Sequence, residues 1–155
     1  MDREAFQTWT AGHIRLLDGA TGSNLRAAGM PAGVCSETWV RAHPETLQTL
    51  QRAYVDAGSE IILAPTFGAN RALLAHHGLE HEVTLLNRAL VALSREAIGT
   101  DALIAGDMTT TGEPVLPSED RAYHRLLDLY TEQAEALLAA GVDLIIIETL
   151  MGLTE

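Results

Sequence analysis

Three stretches of this chain repeat one phrase: a glycine, an acidic residue within two positions, a run of apolar residues, then a polar residue. They are Gly58-Ser59-Glu60-Ile61-Ile62-Leu63-Ala64-Pro65-Thr66, Gly99-Thr100-Asp101-Ala102-Leu103-Ile104-Ala105-Gly106-Asp107 and Gly141-Val142-Asp143-Leu144-Ile145-Ile146-Ile147-Glu148. Their glycines stand 41 and 42 residues apart, the period of a repeated strand and helix unit. The glycine ends a helix, and the unbroken apolar run predicts a parallel strand buried on both faces. A fourth, shorter copy, Ile14 to Leu17, ends on Asp18 without a preceding helix. Ligands of parallel α/β folds bind at the carboxyl ends of the strands. Asp18, Thr66, Asp107 and Glu148 are therefore the candidate site.

Helical spacing fills the intervals. Pro44-Glu45 opens a helix carrying Leu47, Leu50, Tyr54 and Val55 up to Gly58, with proline in the first turn where its missing N–H costs nothing. Thr66 to Asn70 turns into a short helix ending near Gly78, and a longer one runs from Glu80 to Ile98. The longest, capped by Ser118, places Tyr123, Leu126, Leu127, Tyr130, Ala134, Leu137 and Leu138 on one core stripe. Gly19 to Asn24 reads as a tight turn whose amides approach a ligand, with Ser23 or Asn24 capping a helix to Ala28. Met30 to His43 reads as a lid-like loop. The whole, residues 1–155, is one domain with a parallel sheet. Two architectures fit: a (β/α)8 barrel of which the first four strands are present, or a small open doubly wound sheet. The open sheet avoids two unpaired strand edges.

Composition removes several chemistries. A net charge of −11 disfavours nucleic acid and anionic membrane surfaces. All ten basic residues are arginine, which excludes Schiff-base lysine chemistry and the P-loop. Cys35, the single cysteine, reads as an ordinary buried or loop thiol and cannot alone build a metal site. His76 and His77 are adjacent and diverge on a helix, so the chain itself holds no metal ligands. The amino-terminal stretch has no long apolar run and no signal-peptide pattern, which makes cytoplasm the expected compartment.

Leu16-Leu17-Asp18-Gly19-Ala20-Thr21-Gly22-Ser23-Asn24-Leu25, Thr66-Phe67-Gly68-Ala69-Asn70-Arg71 and Gly106-Asp107 through Gly112-Glu113 together resemble the homocysteine S-methyltransferase family. The resemblance runs in order from about Ile14 to Leu150. It implies a barrel in which a zinc-bound homocysteine thiolate accepts a methyl group, giving methionine. By position, Asp18 and Glu148 would hold the homocysteine ammonium, the amides near Gly19 and Ala20 its carboxylate, and Thr66 would line the pocket. The family's zinc is held by three cysteines of the carboxyl-terminal half, which this chain lacks. Thr109-Thr110 stands where relatives often have Gly-Pro, so the methyl donor, cobalamin or folate among them, is left open. A fragment with these properties is expected to have no turnover alone, and to pair its edge strands in a homodimer or with a complementary half barrel. The rival reading is a non-catalytic α/β module that binds a small amino acid or assembles with another half barrel.

Overall fold

The computed structural model describes residues 1–113 and 120–152. Its sheet has three parallel strands in the order β1 (Ile61–Leu63), β2 (Leu103–Met108), β3 (Leu144–Ile147). Ile62 stands opposite Ile104, and Gly106 opposite Ile145. The segment Ile14 to Leu17 is not a full strand. It contributes one parallel bridge, Leu17 to Ile61, with Glu60 N–H donating to Leu16 C=O at 2.8 Å and Asp18 N–H to Ile61 C=O at 2.9 Å. Its backbone thus lies beside β1 in the expected place, but Ile14 is 90% exposed, so nothing extends the pairing upstream.

Seven helices accompany the strands among the described residues: α1 (Arg3–Thr10), α2 (Gly22–Ala27), α3 (Ser36–Ala42), α4 (Pro44–Asp56), α5 (Arg71–Ala75), α6 (Val83–Ile98) and α7 (Asp120–Ala140). Gly58, Gly99 and Gly141 all adopt positive φ, 106°, 57° and 84°, so the repeated glycine does stop α4, α6 and α7 where only glycine is at ease. The helix predicted after Thr66 is capped by Asn70, whose Oδ1 accepts from Leu73 N–H at 2.9 Å. Neither Ser23 nor Asn24 caps α2; its N-cap is Thr21, without a side-chain bond. The Ser118 cap lies outside the described residues.

The strand order never reverses, and α4 packs on α6 and α6 on α7 in one row. A doubly wound sheet needs a reversal that sends helices to its other face; the described strands show none. One face of the sheet meets this row: Ile62, Ala64, Ile104 and Met108 pack with Val91, Ile98 and Leu137. Side chains alternate across a strand, so Asp107 faces away from the helices.

Three expectations are corrected. The long loop Met30 to His43 contains α3, whose buried positions are Glu37 and Val40; a charged residue on the inner face hides the apolar period. And β3, read as buried on both faces, has only half-buried residues and an Ile147 that is 55% exposed. The strand with that property is β2, fully buried from Ile104 to Met108, because among the described strands it is the one paired with a full strand on each side. Likewise Tyr123, Leu127 and Leu138 are exposed, at 58%, 49% and 63%, and the core stripe of α7 runs through Leu126, Leu129, Gln133, Ala136 and Leu137, with the half-buried Tyr130 and Ala134 packed against the core beside it.

Candidate functional site

A cavity of about 610 Å³ opens at the carboxyl ends of the strands. Asp18, Gly19, Ala20, Asp107 and Glu148 line it, together with Leu17, Leu63, Phe67 and Glu37. Five of the six residues singled out from sequence therefore meet in one place. The sixth, Thr66, is fully buried behind it: its hydroxyl accepts from Asp107 N–H at 3.0 Å and donates to Asp107 C=O at 2.9 Å. It anchors the backbone of Asp107 rather than facing the cavity, and the short helix that follows is capped by Asn70.

Each carboxylate is presented differently. Asp18 accepts the Leu63 N–H on Oδ2 at 3.1 Å, while its Oδ1 is buried with no partner. Burial pushes its carboxyl up to about 6; the amide bonds oppose the shift and repulsion from Glu148 adds to it. Asp107 is 5% exposed and its Oδ1 is likewise buried and unpartnered. Burial, then repulsion from Glu148 and Asp18, raises it to about 7. Glu148 follows β3 and is exposed, its N–H donating to Met108 C=O at 3.0 Å. The next residue, Thr149, has φ 55°, a rare conformation for a β-branched residue and a place where strain is held beside a site.

The Gly19-Ala20 turn is held from outside. Tyr54 of α4 donates its hydroxyl to Ala20 C=O at 3.0 Å, and Asn24 of α2 bonds both the Tyr54 oxygen and Ala20 C=O. A Cβ on Gly19 would stand 2.9 Å from the Tyr54 ring, so this position requires glycine for close approach rather than for its dihedrals. Tyr54 reads as core in the sequence, and its role at the turn had no sequence signal.

Glu37 is the other residue missed. Its carboxylate is buried, accepts Gly68 N–H on Oε1 at 2.9 Å, and takes Ser36 Oγ at 3.0 Å and Cys35 Sγ at 3.2 Å on Oε2. It joins α3 to the loop after β1 and so sets the position of Phe67. Burial raises the Cys35 thiol above its ordinary value. A protonated thiol committed to a carboxylate is no zinc ligand, and among the described residues no three His, Cys, Asp or Glu side chains are grouped to hold a metal. The described residues do not fit the zinc that the resemblance implies.

The family model for homocysteine S-methyltransferase matches residues 15–155. The chain belongs to the homocysteine S-methyltransferase family. Within it, the chain is 30% identical to methionine synthase of Mycobacterium tuberculosis over 151 residues, 89% of this chain and 12% of that protein. With methionine synthase of Mycobacterium leprae the identity is 25% over 94% of the chain and 13% of that protein. Among solved structures, the oxidized form of the homocysteine methyltransferase MmuM from Escherichia coli superposes with a TM-score of 0.80 at 24% identity, covering 99% of this chain and 59% of that one. Its metallated form gives 0.78 at 25% identity, over 96% and 58%. The chain thus spans about an eighth of the methionine synthases and less than two thirds of the solved methyltransferase, and shares the latter's α/β fold. No described helix is long and apolar enough to cross a membrane.

Proposed function

We propose that this homocysteine S-methyltransferase family chain is the amino-acid-holding half of a (β/α)8 barrel that transfers a methyl group to homocysteine, giving methionine, in the cytoplasm. The observation that carries the reading is the meeting of Asp18, Asp107 and Glu148 in one cavity beside the Gly19-Ala20 turn. In this reading Asp18 and Glu148 take the substrate ammonium, the amides of the turn take its carboxylate, and Leu17, Leu63 and Phe67 flank the thiol-bearing chain. Zinc, which would lower the pKa of the thiol, is supplied with its cysteines from outside these residues. Its methyl donor, cobalamin- or folate-borne or another, also enters from that side.

Exposed apolar residues at both sheet edges support a partner: Ile14, Leu16 and Leu17 at one, Ile147, Leu150 and Met151 at the other. Unpaired edges of this kind recruit further strands. The pairing is with a second copy or a complementary half barrel, and light scattering across a dilution series is expected to show an assembly. A stable monomer at micromolar concentration counts against it.

Calorimetric titration with L-homocysteine tests the ligand. The chain is expected to bind it, Asp18→Asn and Glu148→Gln each weaken it roughly tenfold or more, and N-acetyl-homocysteine, which lacks the cation, is not bound. Equal affinity of the double variant would remove the reading.

A further inference from the structure

The cavity holds more negative charge than one ammonium needs. Among the described residues four carboxylates line it, Asp18, Glu37, Asp107 and Glu148, and no Arg or His does. Glu37 spends both oxygens on Gly68, Ser36 and Cys35, and Glu148 is exposed to water. Asp18 and Asp107 are different: each keeps one buried oxygen without a partner. At Asp107 the Thr66 hydroxyl occupies both the N–H and the C=O, so only the carboxyl is offered to the cavity. Two bare carboxylate oxygens in one desolvated space do not both stay charged without a cation. Either a proton or a ligand cation completes them.

We propose that Asp107 is a further substrate-contacting residue, which shares one proton with Asp18 in the empty site and gives it up when the ammonium of the amino acid enters. The inference rests on the reading of Asp18 as an ammonium ligand and adds a proton to the binding equilibrium. The exchange balances simply: a cation enters, one O–H bond of the carboxyl pair breaks, and its proton leaves to water. No bond to carbon changes. The charged groups acting on Asp107 are Glu148 after β3 and Asp18 from the strand-end turn; Glu37 of α3 lines the same cavity with its oxygens already bonded, and Thr66 and Gln133 behind it do not titrate. Both charged neighbours are acidic, and burial together with Glu148 raises Asp18 to about 6 and Asp107 to about 7. Protons compete with the ligand below that range and not above it, so affinity rises with pH and then levels.

The test is calorimetry of the chain with L-homocysteine in two buffers of different ionisation enthalpy, near pH 6 and near pH 8. Roughly one proton is expected to be released per ligand at the lower pH and almost none at the higher, with affinity rising by up to about tenfold per pH unit between them. Asp107→Asn, checked for folding by circular dichroism, loses most of the release and flattens the profile. Release unchanged in that variant overturns the proposal. A ligand-free readout separates this from the homocysteine reading: the carboxyl ¹³C signal of Asp107 titrates near neutral pH in the empty protein, and moves down when methylammonium is added. If homocysteine does not bind while that signal behaves so, the substrate reading falls and the shared proton stands. A signal that titrates below about pH 5, in the ordinary carboxylate range, sinks the proposal.

Discussion

The two sides of β2 differ in how they are finished. Toward β1, the end of that strand and the loop after it are tied down by buried amides. Gln51 donates to Leu63 C=O at 3.1 Å, Gln133 to Thr66 C=O at 2.8 Å, and Asn87 to Ala69 C=O at 2.9 Å. Toward β3, the strand has half-buried side chains, and Glu148, Thr149 and Leu150 beyond it are exposed. The site is shared between them: Asp107 belongs to the locked side and Glu148 to the open one. A rigid half can hold two buried carboxylates against their own repulsion, while the open half leaves room for whatever completes the sheet.

Substitutions can break that contrast. The largest effect is expected in the locked side: Ile104→Ala, at a fully buried centre of β2, should cost about 2–5 kcal/mol in urea unfolding. A loss under about 1 kcal/mol would mean that β2 is no better packed than the edge. Gln133→Leu leaves the Thr66 carbonyl without its donor and should cost roughly 1–3 kcal/mol. Because Thr66 holds the Asp107 backbone, the same variant should also weaken homocysteine binding, whereas an unaltered affinity would detach the amide from the site.

The pH dependence sharpens the comparison from the other direction. Asp107 and Asp18 have folded pKa values raised above the ordinary carboxylate range, so the folded state binds protons more tightly than the unfolded one. Their contribution to stability is fully present below about pH 4 and is lost as pH rises through about 6 to 7. Asp107→Asn is therefore expected to gain roughly 1–2 kcal/mol at pH 8, after allowance for solvent screening, and nothing near pH 4. Equal gains at both pH values would show that the side chain is not neutralised on acidification. The smallest effect belongs to the open edge. Ile147→Ser, at a position 55% exposed, should change the stability of a single chain by less than about 0.5 kcal/mol, yet shift any concentration-dependent assembly toward smaller species. A large loss of stability in dilute solution would show that β3 is already closed.

What the sequence determined is the periodic part. The phrase ending in Thr66, Asp107 and Glu148 set the strands and their parallel sense, and Gly58, Gly99 and Gly141 set the helix ends, because helical stops and buried strands are written in neighbouring residues. It also placed Asp18, Gly19, Ala20, Asp107 and Glu148 together, since the ends of parallel strands share one rim. Only the tertiary structure decided which strand is central. β3, Leu-Ile-Ile-Ile, is the more apolar run, yet β2 with its Gly106 and Asp107 is the buried one, because burial depends on how many neighbours a strand has, and no local pattern records that. The same holds for Glu37 and Tyr54, one charged and one read as core, whose work is done on Gly68 and Ala20, 31 and 34 residues away. It holds also for Thr66, whose hydroxyl faces the Asp107 backbone and not the cavity. Side-chain direction at a strand end is settled by the element packed beside it, and that partner is distant in the chain.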